Sequence, residues 1–227
     1  MENNIRCYVI CEGQSEEHFI KNVLGPYFYG SNIYLTPLIV PTSKGQKGGA
    51  LSYDRVIHFV TNKLKEDQTA FVTTLFDYYA LDEQFLDNVK FHSDIYVYIE
   101  NIQRNLDKKI RECCDTDRFF SHIQPHEFES LLFSDIEKII TADANWDAKL
   151  IDKLQKIIEN FKNPELINNS KETSPSHRLE KIFVSSKYNK VLHGGKIAES
   201  IGIEKIRSEC QHFNLWCEKL SQLKDRR

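Results

Sequence analysis

Apolar runs alternate with longer amphipathic segments along the chain, and this alternation predicts its secondary structure. Runs rich in β-branched and aromatic residues predict four strands, at residues 5–11, 33–40, 69–76 and about 119–124. Amphipathic segments predict helices at about 15–27, 52–65, 94–113, 146–160, 175–184, 195–208 and 210–224. Strands that alternate with helices are typical of a largely parallel sheet flanked by helices. We therefore expect an α/β core over residues 1–140 and a mainly helical C-terminal extension over 141–227 that packs on it.

Carboxylates follow three of the predicted strands. Glu12 ends the first strand, Asp77 ends the third, and Glu127 and Glu129 follow the fourth, which Pro125 ends because proline has no N–H to donate. The carboxyl ends of neighbouring parallel strands meet at one edge of a sheet, where open α/β sheets place ligand sites. Carboxylate oxygens are the ligands that Mg²⁺ and Mn²⁺ prefer. The pattern predicts a divalent-metal site at this edge.

Two of these clusters have simpler interpretations. Glu16 lies in the first turn of a predicted helix, where a carboxylate compensates the helix dipole. A helix that begins at Glu127 would give one of the glutamates in the third cluster the same role. His126-Glu127 is not a zinc-protease motif, because Ser130 stands where the second histidine would be. His126 itself is either a local hydrogen-bonding residue or a substrate contact.

These residues resemble a known fold family. The order strand, Glu12-Gly13-Gln14-Ser15-Glu16, helix and a strand ending in Asp77 is similar to the TOPRIM fold of topoisomerases, primases and overcoming-lysogenization-defect nucleases. Together with residues 124–133 and 206–216, these blocks resemble domain-of-unknown-function family 4276 over nearly the whole chain. The resemblance implies a TOPRIM-like catalytic core over residues 1–140.

The resemblance also implies roles for individual residues. The metal site falls on Glu12 and Glu16, and the Asp-x-Asp motif falls on Asp77-Tyr78-Tyr79, so a tyrosine occupies the place of the second aspartate. Glu127 and Glu129 correspond to a later acidic pair that supports a second metal ion. The resemblance also implies a lysine that faces the scissile phosphate, and the candidates are Lys187, Lys190 and Lys196.

The function implied by the resemblance is a nuclease that hydrolyses phosphodiester bonds in DNA or RNA with Mg²⁺ or Mn²⁺. Relatives commonly occur beside AAA-type or ABC-type ATPases in bacterial anti-phage defence loci, so an ATPase partner is implied as well. Glu12 would be the central ligand and an acid/base group. Two other classes stay open: a non-cleaving regulatory or nucleic-acid-binding subunit, and an enzyme acting on nucleotides or another phosphorylated small molecule.

A glycine-rich segment, residues 42–49, offers a further substrate contact. Its backbone amides and the lysines Lys44 and Lys47 lie between a predicted strand and a predicted helix, where they could meet a phosphate. The spacing of a P-loop is absent. A loop solvated by its lysines is an equally good interpretation.

Composition limits the functional classes without choosing among them. The formal net charge of −3 gives no global positive field for nucleic acid, so phosphate contacts would have to come from a local basic patch or from a partner. The six cysteines have no zinc-ribbon spacing, and reduced thiols are the simplest account of them. No secretion signal and no apolar run of membrane-spanning length is seen. We expect a cytoplasmic protein without a membrane partner, and a homo-oligomer is compatible with the sequence.

Overall fold

Parallel strands form the centre of the molecule. The computed structural model describes residues 4–41, 51–168, 170–184 and 187–226. Strand β1 (Ile5–Cys11) pairs with β2 (Ile33–Ile39) on one side and with β3 (Phe71–Asp77) on the other. Strand β3 then pairs with two short strands, β4 (Phe119–Phe120) and β5 (Ile123–Gln124). All of these pairings are parallel, so the predicted parallel sheet flanked by helices is confirmed.

The register brings the carboxyl ends of the strands together. Cys11 lies opposite Leu75 of β3 and Ile39 of β2, so that Glu12 and Asp77 follow at the same edge of the sheet. Asp77 also pairs with Gln124 of β5, which leads directly into the third acidic cluster. The sheet therefore gathers the predicted carboxylates at one edge.

The fourth predicted strand is interrupted, and Thr74 explains why. Its hydroxyl accepts a hydrogen bond from the backbone N–H of His122 at 2.9 Å and donates one to the His122 carbonyl at 2.8 Å. A side chain thus takes the place of the neighbouring backbone, and the run divides into β4 and β5.

Helical segments connect the strands and cover both faces of the sheet. Between β1 and β2, α1 (Gln14–Phe19) continues through a π-helical turn (Ile20–Leu24) into α2 (Gly25–Tyr29). The wide turn brings Ile20 O so close to Gly25 that a Cβ there would lie 2.8 Å from it. The longer helices α3 (Tyr53–Glu66) and α4 (Ile95–Cys114) closely match their predicted ranges.

The C-terminal part consists of short helices, as predicted, but their boundaries differ and α5 was not predicted. They are α5 (Ile136–Thr141), α6 (Ile151–Ile158), α7 (Pro175–Ile182), α8 (Gly195–Ile201), α9 (Ile203–Glu209) and α10 (Gln211–Ser221). The single helix predicted at 195–208 was wrong. Gly202, at φ 80° and ψ 153°, separates α8 from α9 in a conformation that is essentially restricted to glycine.

Two hydrophobic layers enclose the sheet. One contains Val56 and Val60 of α3 with Ile99 and Ile102 of α4, and the other joins side chains from both halves of the chain. In this second layer the ring of Phe19 lies 5.2 Å from that of Phe128 and 5.8 Å from that of Phe213. The C-terminal helices thus pack directly against the N-terminal half of the molecule.

The aromatic residues of α10 belong to this core. Phe213, Trp216 and Leu220 are buried, and Trp216 donates a hydrogen bond through Nε1 to the hydroxyl of Thr73 in β3 at 3.0 Å. These side chains therefore form a packing stripe on one face of the helix predicted at 210–224. Within the described ranges, none of the helices combines the length and the hydrophobicity needed to span a bilayer.

Candidate metal and phosphate site

Backbone hydrogen bonds tie two of the acidic clusters to each other and to the start of the third. The N–H of Asp77 donates to Oε1 of Glu12, which places the carboxylate that ends β1 against the end of β3. Asp77 Oδ1 in turn accepts a hydrogen bond from the N–H of Phe128 at 2.7 Å. Phe128 lies between Glu127 and Glu129, so the structure brings residues from all three strand ends to one place.

Glu16 is buried, although it lies in the first turn of α1. Its Oε2 accepts the N–H of Gly13 at 3.1 Å, as in a capping interaction. Only 9% of Glu16 is exposed, and its pKa is raised because burial disfavours the charged form. Compensation of the helix dipole does not require such burial, so the position of Glu16 also fits a ligand role.

Lys190 contacts the third cluster. Its Nζ lies 3.2 Å from Oε2 of Glu129 and 3.9 Å from Oε1 of Glu127. The other oxygen of Glu127 accepts the N–H of Ser176 at 3.0 Å. Ser176 lies in the first turn of α7, so two separate segments of the C-terminal part complete the site.

The other two lysine candidates are placed differently. The side chains of Lys187 and Lys196 are exposed, and neither forms an ion pair within the part of the chain that the structure describes. Of the three candidates, Lys190 is therefore the one whose ammonium group contacts the acidic clusters.

The carboxylates raise one another's pKa. Burial, followed by repulsion from Glu16, raises the pKa of Glu12 to about 8, although the N–H of Asp77 and the charge of Lys190 act in the opposite direction. Burial raises the pKa of Glu129 to about 7, against the attraction of Lys190. The pKa of Asp77 is raised well above its usual range by burial and by repulsion from Glu12. When all of them are ionised, these groups carry more negative charge than one lysine neutralises.

Lys190 keeps its positive charge in this setting. Burial alone would lower its pKa, but the carboxylates of Glu129, Glu127 and Asp77 outweigh that effect and raise it. A permanent cation next to hard oxygen ligands is an arrangement suited to binding a phosphate oxygen.

His126 and Tyr79 lie beside these carboxylates. The N–H of Tyr79 donates to the carbonyl of His126 at 3.2 Å, and the two rings are 5.5 Å apart. His126 has a φ of 61°, which is uncommon for a residue other than glycine, and burial lowers the pKa of its imidazole to about 4. The imidazole is neutral at physiological pH.

The sequence matches a family model over residues 11–221, a model described as a domain of unknown function, DUF4276. The chain belongs to this family. The predicted resemblance to family 4276 is therefore confirmed, and the matched range includes every acidic residue of the site.

Solved structures similar to the chain are C-terminal regions of OLD proteins. That of Burkholderia pseudomallei is 14% identical, with 97% of this chain and 98% of that chain covered and a TM-score of 0.49. Those of Xanthomonas campestris pv. campestris include one phased with platinum, at 14% identity, 95% coverage of each chain and a TM-score of 0.40. Another, phased with mercury, has 15% identity, coverage of 95% and 97%, and a TM-score of 0.41. No curated protein matches the sequence.

The donor set fits Mg²⁺ or Mn²⁺ by its chemistry. One carboxylate oxygen accepts a hydrogen bond from a backbone N–H in each of Glu12, Asp77 and Glu16, and this bond orients the side chain. Their mutual repulsion is what a divalent cation would relieve. Among the described residues, no three His, Cys, Asp or Glu side chains are grouped closely enough to hold a metal ion. Binding would therefore require the second oxygens of these carboxylates to turn toward the ion.

Two contributors to the site were missed at the level of sequence. The backbone N–H of Ser176 donates to Glu127, whereas the sequence predicts only that a helix begins near residue 175. Tyr188 is 5% exposed, its hydroxyl has no hydrogen-bond partner, and the carboxylates of Glu129 and Glu127 raise its pKa further after burial has done so. Tyr188 lies two residues before Lys190. In an extended segment alternate residues share a face, so the sequence could have indicated that Tyr188 lies on the same side as Lys190.

Lys44 and Lys47 lie outside the described residues. The predicted phosphate contact of the glycine-rich segment stays a prediction.

Proposed function

We propose that this protein hydrolyses phosphodiester bonds in DNA or RNA with the help of Mg²⁺ or Mn²⁺. The observation that carries the proposal is the contact of Lys190 with Glu129 and Glu127 at the sheet edge where Glu12 and Asp77 meet. Hard oxygen ligands and a fixed cation side by side are what binding and cleavage of a phosphodiester require.

Each residue has a role in this proposal. Glu12, Glu16 and Asp77 would hold one metal ion, and Glu127 with Glu129 would support a second. A bound ion would supply an activated water and a Lewis acid for the phosphoryl oxygens. Glu12 is also the candidate acid/base group; its pKa of about 8 applies to the metal-free protein. Lys190 binds the scissile phosphate and stabilises the charge that develops on its oxygens.

Peripheral contacts to the nucleic acid would come from other basic and polar residues. We propose that Lys187 and Lys196, both exposed near Lys190 in the sequence, contact phosphates along the strand. Lys44, Lys47 and His126 would extend the contact on the substrate side. Such local charges compensate for a net charge of −3.

The biological setting that we propose rests on the resemblance of this chain to its family. An AAA-type or ABC-type ATPase partner would control the nuclease, which would act as the effector of a bacterial anti-phage defence system. All six cysteines are free thiols, which favours a reducing compartment, and we place the protein in the cytoplasm.

Metal-dependent cleavage tests the proposal. Labelled DNA and tRNA are incubated with the purified protein in Mg²⁺, in Mn²⁺ and in EDTA, with and without any ATPase encoded beside it. We expect cleavage with either metal, a loss of at least about 100-fold in Glu12→Gln and no loss in the control Glu199→Gln, whose glutamate is exposed on α8. Equal cleavage by Glu12→Gln and wild type would contradict the assignment of the site.

A second candidate function is a non-cleaving regulatory or nucleic-acid-binding subunit of an ATPase complex. Tyr79 favours it, because this tyrosine occupies the place of the second aspartate in the motif and cannot serve as a carboxylate ligand. Metal-independent binding of nucleic acid, with no cleavage in any of the conditions above, would support this candidate and contradict the nuclease.

A further inference from the structure

Beside the acidic clusters, Tyr79 lies between two buried polar atoms that have no hydrogen-bond partner. One is Nδ1 of His126, whose ring lies 5.5 Å from the Tyr79 ring. The other is Oδ1 of Asn168, whose side chain lies beside the Tyr79 hydroxyl. Most buried polar groups in proteins are paired, and leaving one unpaired is costly. Two such atoms beside one partly exposed ring mark a candidate ligand site.

The backbone of His126 supports the same conclusion. A φ of 61° in a residue other than glycine costs free energy, and such residues cluster at sites where a ligand is held. The position is fixed by the hydrogen bond from Tyr79 N to the His126 carbonyl. Only 9% of His126 is exposed, so its free nitrogen is not simply solvated at the surface.

The chain also fixes where this ligand lies. Tyr79 follows Asp77 by two residues, and His126 directly precedes Glu127. The charge of Glu127 acts on both Tyr79 and His126, so a group held against the Tyr79 ring lies near the carboxylates that contact Lys190. A nucleobase has both properties required here, because it offers a flat π-face for stacking and hydrogen-bonding groups on its edge.

We propose that Tyr79, His126 and Asn168 form a subsite that binds the base of the nucleotide next to the scissile phosphate. The base stacks on Tyr79, and rotation of the His126 and Asn168 side chains, whose Nδ1 and Oδ1 atoms are covered in this structure, lets its edge pair with both. The inference rests on the proposed function, because it assumes that the acidic clusters and Lys190 bind a phosphate. It gives Tyr79 a role in recognition at the position where the motif has a metal ligand.

Binding of mononucleotides tests the subsite without any turnover, since they contain no phosphodiester bond. AMP, GMP, CMP, UMP and ribose 5-phosphate are titrated in Mg²⁺ into the wild type, Tyr79→Leu, Tyr79→Phe and Tyr29→Leu, with calorimetry as the readout. Tyr29 is a matched control, because it is 50% exposed and stacks on Tyr34, which lies near the amino end of β2.

We expect at least one nucleotide to bind about tenfold or more tightly than ribose 5-phosphate, since stacking on an aromatic ring contributes to affinity on that scale. Tyr79→Leu should abolish this difference and leave the affinity for ribose 5-phosphate unchanged. Tyr79→Phe should keep most of it, and Tyr29→Leu should keep all of it.

Other outcomes separate the subsite from the proposed function. If ribose 5-phosphate and the nucleotides bind equally, the phosphate site stands and the base subsite is overturned. If Tyr79→Leu retains the preference for nucleotides, the subsite is also overturned. If no ligand binds, both the subsite and the phosphate site are overturned.

A variant of His126 gives an independent measurement. His126→Asn keeps a residue that tolerates positive φ, so the fold should be retained, which thermal unfolding checks. We expect it to lower the affinity for the preferred base and to leave ribose 5-phosphate binding intact. If the ratio of the affinity for the preferred nucleotide to that for ribose 5-phosphate is the same as in the wild type, His126 does not contact the base.

Discussion

At the scale of single residues, the charge balance of the acidic site depends on Lys190. Its ammonium group lies 3.2 Å from Glu129, which is only 2% exposed. A buried carboxylate without a partner is strongly unfavourable, so the lysine allows these glutamates to remain at the sheet edge. The lysine does not offset the burial of Glu12 and Asp77 or the repulsion between them, which together raise their pKa values.

The stability of the metal-free protein should fall as the pH rises from about 4.5 to about 8. The pKa of Glu12 is raised from 4.5 to about 8 and that of Glu129 to about 7. In this window the folded chain holds protons that the unfolded chain has released, and stability therefore decreases with pH. Stabilisation from these groups is fully present below about pH 4.5 and is lost through pH 7 to 8.

Urea unfolding in EDTA across this pH range measures the effect. Glu12→Gln should flatten the pH dependence, Glu199→Gln should not, and Mg²⁺ should restore stability at pH 8 by binding the folded state. Identical pH dependence in wild type and Glu12→Gln would show that the Glu12 carboxyl is not perturbed.

At the scale of secondary-structure elements, Gly202 sets the path of the chain from α8 into α9. Ile203 and Ile206 of α9 are buried and belong to the same hydrophobic layer as Phe19. The turn at φ 80° and ψ 153° therefore determines whether α9 can pack on the N-terminal half.

Gly202→Ala should destabilise the protein by about 1–3 kcal/mol, because alanine is strained in this conformation. Gly30→Ala is the matched control: Gly30 has a φ of −62°, and a Cβ there would meet no atom within 4 Å. Alanine at that position should be neutral or stabilising by up to about 1 kcal/mol. Chemical denaturation of both variants checks the prediction, which fails if the two behave alike.

The elements that could be predicted from the sequence are those determined by local pattern. Strands β1, β2 and β3 and helices α3 and α4 were found within a few residues, because each has a clear period of apolar positions. The break between β4 and β5 could not be predicted, since it depends on the contact of Thr74 with His122, which is 48 residues away. The division of α8 from α9 at Gly202 was missed because an isolated glycine also occurs within helices.

In the site, too, the sequence predicts what local pattern determines and misses what depends on contacts between distant segments. The approach of Glu12 to Asp77 follows from their places at the ends of neighbouring parallel strands. Choosing Lys190 over Lys187 and Lys196 was not possible from the sequence, because it depends on how the C-terminal segments fold over the sheet edge.

At the scale of the whole molecule, the site belongs to both halves of the chain. Glu12 and Asp77 lie in the N-terminal half, whereas Lys190 and the N–H of Ser176 come from the part beyond residue 140. Phe19 and Phe128 also pack with Phe213 of α10 in one hydrophobic layer. The division into a core of residues 1–140 and an extension of residues 141–227 stays a prediction.

Residues 1–140 expressed alone should fail to fold cooperatively. Removing the rest would expose Phe19 and Phe128 and leave Glu127 and Glu129 without Lys190. Circular dichroism during thermal unfolding, with the full chain as the control, measures this. A sharp unfolding transition in the fragment would show that the first 140 residues form an independent domain.

Whether Lys190 binds the scissile phosphate is tested by comparing two lysines that are six residues apart. Cleavage of labelled DNA and tRNA in Mg²⁺ is measured for wild type, Lys190→Met and Lys196→Met, after each variant is shown to be folded. If Lys190 binds the scissile phosphate, Lys190→Met should lose at least about 100-fold in rate, whereas Lys196→Met, which alters an exposed residue of α8, should lose less than about tenfold. Equal rates for Lys190→Met and the wild type would contradict the account.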